Sequence, residues 1–203
     1  TFSGTGTSYS WTNSNPGIGL SATGTGNIAS FTGVNNSTSP VTATITVVPE
    51  YNFNGVNCTG PSQSFTITVN PTPTVTDPAD QVICNGSSTQ AVLFTGTGTS
   101  YSWSNSTPGI GLAATGTGNI ASFTAINGGT TVVVATITVT PVFTNAGVTC
   151  PGIPRNFTIT VNPIPTVNAV NNQTVCAGAM TTAITFTGAV AGSSYSWINS
   201  NTA

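Results

Sequence analysis

Charge is almost missing from this chain. Its 203 residues include one basic side chain, Arg155, and three acidic ones, Glu50, Asp77 and Asp80, with neither Lys nor His. A nucleic-acid partner needs a basic footprint to offset phosphate charge, so that class of partner is excluded. General acid–base catalysis needs His, paired carboxylates or a tuned Lys. The one close acidic pair, Asp77 and Asp80, has no acidic counterpart in the third copy, where Asn168 and Asn171 stand nearby. A Ser nucleophile would have no base to activate it. No catalytic residue is assigned, and the chain reads as not an enzyme. Calcium wants several carboxylates and zinc wants Cys/His sets, so neither a metal site nor a cofactor is expected. A lysine–asparagine isopeptide crosslink is impossible without Lys. No apolar run approaches the roughly 18 residues that cross a bilayer, so no membrane span is expected in this segment.

What the chain does contain is Thr, Gly, Asn and Ser around a hydrophobic fraction of 37%. That is too apolar, and too weakly charged, for a disordered segment. The residues also repeat. Shifted by 92 positions, Thr1–Val75 aligns without a gap on Leu93–Val167, with about two-thirds of positions identical. GTGTSYSW stands at Gly4–Trp11 and at Gly96–Trp103, and ATGTGNIASFT at Ala22–Thr32 and Ala114–Thr124. Phe2, Phe94 and Phe186 mark three successive passes. The expectation is one complete unit between two partial ones, an excerpt from a longer array.

Gly and Pro punctuate the chain, and no window has helical periodicity. Alternation is clearest in Val133-Ala135-Ile137-Val139 and Phe157-Ile159-Val161, with Thr136, Thr138, Thr158 and Thr160 on the opposite face. Ala43-Ile45-Val47 and Phe65-Ile67-Val69 repeat the pattern. Such runs predict half-buried antiparallel strands with an aliphatic inner face and a Thr ladder outside. Ala91–Thr97 and Ser100–Asn105 read as a hairpin through Gly96 and Gly98. Weaker strands are expected near Gly111–Thr115 and Ile120–Ile126, and lead strands near Thr74–Thr76 and Gln81–Cys84. About seven short strands in some 90 residues predict an all-β fold of tandem immunoglobulin-like β-sandwich repeats. The copies meet at Val69-Asn70-Pro71-Thr72-Pro73 and Val161-Asn162-Pro163-Ile164-Pro165. Paired prolines hold such a joint extended and stiff. Domain boundaries are placed there, giving repeats at 1–71, 72–163 and 164–203, the first and last incomplete.

Two residue types stand out. Trp11, Trp103 and Trp197 recur at one position and are assigned as core aromatics of a sandwich; the alternative is an exposed platform for stacking sugars. Cys84 and Cys176 lie in [I/V]-C-x-G, Cys58 and Cys150 in C-[T/P]-G. The default pairing is Cys84 with Cys150 inside one repeat, worth roughly 4 kcal/mol by chain entropy, with Cys58 and Cys176 paired outside the segment or in neighbouring repeats. The alternative is that bridges join one repeat, or one chain, to the next, because the first turn and last hairpin of such a sandwich lie at opposite poles. Recurring cysteines and a Lys-free surface place the chain outside the cell.

The strings SYSWSNSTPGIGLAATGTGNIASFTA (Ser100–Ala125), the V-C-x-G cysteine and FTITVNPxPTV resemble the PKD-like repeats of Bacteroidota surface proteins. The resemblance covers essentially the whole chain. It implies an Ig-like (PKD-like) fold, export by the type IX secretion system, and a structural role in a giant cell-surface adhesin or filament serving attachment, gliding or prey capture. The expected partners are further copies, packed laterally or end to end, and surface glycans or other cells. The alternatives are a non-associating stalk for a distal domain, or a carbohydrate-binding repeat array.

Overall fold

A computed structural model describes residues 1–201. Regular elements recur at the period of the sequence. The first copy holds β1 (Ser8–Asn13), β2 (Thr23–Thr25), β3 (Val41–Phe53), β4 (Val56–Thr59) and β5 (Gln63–Val69). After β6 (Gln81–Cys84), the second holds β7 (Ser100–Asn105), β8 (Thr115–Thr117), β9 (Val133–Asn145), β10 (Val148–Pro151) and β11 (Arg155–Asn162). One-turn 3-10 helices at Pro16–Ile18 and Pro108–Ile110 follow β1 and β7. Pro presets φ for the turn, Ile18 and Ile110 are driven fully inside, and Gly19 and Gly111 close it at φ 96° and 97°, a conformation only glycine adopts freely. That is the physical content of the recurring Pro-Gly-Ile-Gly string.

The chain forms two compact units. The first comprises Thr1–Val75 with Thr95–Ser100 and Thr140–Ile153; the second comprises Thr76–Phe94, Tyr101–Val139 and the chain from Pro154 onward. In the first unit β3 is the organising strand. Its amino-terminal half pairs antiparallel with β5, its carboxy-terminal end with β4, and β1 lies along its other edge, flanked by β2. Ala43, Ile45 and Val47 point inward onto Trp11, Ile18 and Leu20. The outward threonines satisfy one another across strands, Thr42 with Thr68 at 2.8 Å and Thr46 with Ser64 at 2.9 Å. Such cross-strand hydroxyl pairs stabilise a face that carries no charge.

In the second unit β11 lies between two neighbours. Phe157, Ile159 and Val161 pair antiparallel with Ile137, Ala135 and Val133 of β9, while Ile159–Asn162 pair in parallel with Gln81–Cys84 of β6. Ala135, Ile137, Val139, Ile159 and Val161 are completely buried. A second layer is formed by the segments around Val92 and Ile120, linked by bridges Ser88–Thr124 and Val92–Ile120, with Val92, Phe94, Ile120 and Ala125 buried. The fold is all-β and two-layered, as the alternation predicts. Asn127 ties the layers: its side-chain amide, 4% exposed, donates to the carbonyls of Thr131 and Val161, both at 2.8 Å.

One expected element does not form. Ala91–Thr97 makes no hairpin with Ser100–Asn105; β7 pairs instead with β8, and the upstream segment touches Ile120 and Val75 through single bridges. The backbone donors a hairpin needs are already engaged. The Phe94 amide donates to Asn119 Oδ1 at 2.9 Å, and the Thr97 amide to the Thr74 carbonyl at 3.1 Å. The third copy, from residue 164 to 201, contains no regular strand.

Candidate functional site at the joint between copies

The joint following the first copy lies wholly in the first compact unit. Pro71 and Pro73 are fully buried, as is Pro141 near the end of β9. Packing is close enough that a side-chain carbon on Gly152 would overlap the Pro73 carbonyl. Its amide donates to the Pro141 carbonyl at 2.8 Å, which holds the β9–β10 hairpin in place. Thr74 donates its amide to Thr97 Oγ1 at 2.9 Å, and Asn145 Nδ2 donates to Asn70 Oδ1 at 2.9 Å. Extended proline backbone supplies few donors, so the flanking Asn70 and Thr74 carry the polar contacts. At the equivalent joint after the second copy, Pro163 is buried but Ile164 and Pro165 are exposed.

The cysteines are all free thiols, three exposed and Cys150 half-buried. The expected Cys84–Cys150 bridge is not formed. Cys84 ends β6 opposite Asn162, whereas Cys150 lies in β10 opposite Phe143.

Trp11 and Trp103 are each 8% exposed, and Trp197 is 73% exposed. In both ordered copies the indole lies flat across the glycine opposite it, Gly24 or Gly116, where a Cβ would fall inside the ring. Neither buried Nε1 has a hydrogen-bond partner. Phe2 and Phe94 pack on Tyr9 and Tyr101 with ring centroids 5.8 and 5.7 Å apart, so these four rings form one aromatic pair in each of the first two copies.

The few charged groups are held by local structure. Asp77 pairs with Arg155 Nε at 3.2 Å, both well exposed; Asp80 Oδ1 accepts from the Thr158 amide at 2.6 Å; Glu50 Oε1 accepts from Ser10 Oγ at 2.7 Å. Among the described residues no three His, Cys, Asp or Glu side chains gather as metal ligands would, and no helix is long and apolar enough to cross a membrane.

Several structural residues carry no obvious local signal. Gln81 clamps the backbone of Gln90, donating to its carbonyl at 3.1 Å and accepting from its amide at 2.9 Å; Gln173 and Thr182 repeat the clamp at 2.9 and 2.8 Å. The Asn70–Asn145 contact and the Gly152 approach are equally silent in the residues around them. Recurrence of Gln, Asn and Gly at the 92-residue spacing is the signal that could have found the clamp. No protein-family model matches the chain, and no curated protein is similar to it.

Proposed function

We propose that this chain is a structural repeat segment of a giant extracellular adhesin or surface filament, built from PKD-like domains joined end to end and exported by the type IX route. Attachment, gliding or prey capture is then a property of the array. The observation that carries this reading is the joint, with Pro71 and Pro73 fully buried and flanked by hydrogen-bonded Asn70 and Thr74. A flexible tether has no reason to bury its linker. The uncharged Thr faces support lateral packing of copies, since little electrostatic repulsion opposes association. Burial of Trp11 and Trp103 speaks against a sugar-stacking platform, which needs exposed rings. Negative-stain microscopy of the purified chain tests the reading. Filaments or laterally associated bundles are expected, and isolated beaded strings at every concentration would overturn it in favour of a non-associating stalk.

A further inference from the structure

Asn-Gly stands at three places in the chain, Asn54-Gly55, Asn85-Gly86 and Asn127-Gly128. In such a pair the backbone nitrogen of the glycine can reach the side-chain carbonyl carbon of the asparagine, because no Cβ stiffens or crowds the approach. The fold treats the three pairs differently. Asn127 is 4% exposed; its side-chain amide donates to the carbonyls of Thr131 and Val161, and its Oδ1 accepts from the Gly129 amide at 3.0 Å. At Asn85 both reacting groups are engaged. Its Oδ1 accepts from the Asn127 amide at 2.8 Å, and the Gly86 amide donates to the Ala125 carbonyl at 2.8 Å. Among the described residues, neither the Asn54 side chain nor the Gly55 amide makes a hydrogen bond. A Cβ would meet nothing at any of the three glycines, so hydrogen bonding and not crowding separates them.

Asn54 and Gly55 form the exposed two-residue tip of the β3–β4 hairpin, with φ 47° and 80°, the turn that Asn-Gly favours. Such a tip stays exposed with a joint packed beside its hairpin. In the second copy the matching residues, Ala146 and Gly147, lie in the same compact unit as the Asn70–Val75 joint. Both are exposed, although the neighbouring Asn145 bonds Asn70.

We propose that Asn54 is a site of spontaneous covalent modification, deamidation through a succinimide. The Gly55 nitrogen bonds to Asn54 Cγ, and the side-chain nitrogen leaves as ammonia, carrying away the proton of the Gly55 amide. Water then opens the ring at either carbonyl, giving aspartate or isoaspartate with no further reagent. Either product adds one carboxylate, taking the formal net charge from −2 to −3. In the isoaspartate the main chain runs through the side-chain carbon, so the turn gains a backbone atom and loses the length that sets β4 in register on β3. Ala146 removes this chemistry from the second copy while holding its turn at φ 48°, a conformation that alanine adopts less readily than asparagine. One hairpin therefore ages and its counterpart does not.

The test incubates the full chain at mildly alkaline pH, folded and in denaturant, and follows each Asn-Gly pair by peptide mapping, with enzymatic methylation to count isoaspartate. In the folded chain Asn54 should convert at least ~10-fold faster than Asn85 or Asn127, whose reaction must first break one or two hydrogen bonds. In denaturant the three rates should converge. Ala146→Asn should create a second fast site at the matching turn without lowering the unfolding midpoint. Conversion of Asn85 or Asn127 as fast as Asn54 in the folded chain overturns the proposal, as does folding that slows all three equally. An Ala146→Asn chain whose new asparagine is as inert as Asn85 overturns it too.

Discussion

Phe65 and Phe157 begin the same string, Phe-Thr-Ile-Thr-Val-Asn-Pro, on strands that pair identically with β3 and β9. Yet Ile159 and Val161 are completely buried while Ile67 and Val69 are only half-buried. The difference follows a four-residue neighbour, β6, which pairs with β11, while among the described residues β5 pairs with β3 alone. The third copy carries the comparison to its limit. It retains the Gln173 clamp and a Phe186–Tyr195 contact with centroids 6.0 Å apart, but its described residues, 164–201, form no strand. Burial in this fold is therefore a property of the closed repeat, and an identical local sequence does not guarantee it.

Substitutions at equivalent positions turn that comparison into measurements. The largest contrast is expected at the phenylalanines. Phe157→Ala should cost about 3–5 kcal/mol through the lost transfer energy and the cavity left behind, whereas Phe65→Ala should cost about 1 kcal/mol because much of the ring is already in water. Denaturant unfolding of single-tryptophan variants retaining Trp103 or Trp11 separates the two copies, and equal losses would break the comparison. Next come the glycines under the indoles. Gly24→Ala and Gly116→Ala each force a ring to move, at about 1–3 kcal/mol. Both copies contain this pair in full, so the losses should match, and a marked difference between them would show that the open edge is felt across the sheet.

A smaller effect is expected at the asparagines. Asn127→Ala leaves the Val161 carbonyl without its side-chain partner in a closed core and should cost about 1–2 kcal/mol. The matching Asn35→Ala, where the Asn35 amide reaches Val69 at 2.7 Å in a more exposed setting, should cost less. Thermal unfolding of the same tryptophan variants distinguishes them. Smallest is Arg155→Ala, which removes a well-exposed ion pair with Asp77 and should change stability by under about 0.5 kcal/mol. A larger loss would mean that this contact, unique to the second copy, contributes to closing it.

Much of the architecture is legible in the residues, because alternation and recurrence are local signals. The inward Ala135, Ile137 and Val139, the outward threonines and the 92-residue period all follow from reading the chain. The parallel pairing of β6 is not legible, since a four-residue strand of mixed character has no pattern of its own and its partner lies some 80 residues away. The hairpin expected at Ala91–Thr97 fails for a related reason, as Asn119 and Thr74 take the donors it would need. At the joint the paired prolines are visible, but their burial depends on Pro141 and Gly152, far along the chain. The cysteine positions are equally visible, while the strands that carry them, β6 beside β11 and β10 beside β9, are set by a register that spacing alone does not supply.

The claim that β6 closes the repeat is tested most directly by residue-resolved amide hydrogen exchange on dilute, reduced chain. Alternate amides of β11 that face β6 should be strongly protected, and the matching amides of β5, facing the open edge, should exchange at close to solvent rates while those facing β3 stay protected. Equal protection on both edges of β5 in the monomer would contradict the account.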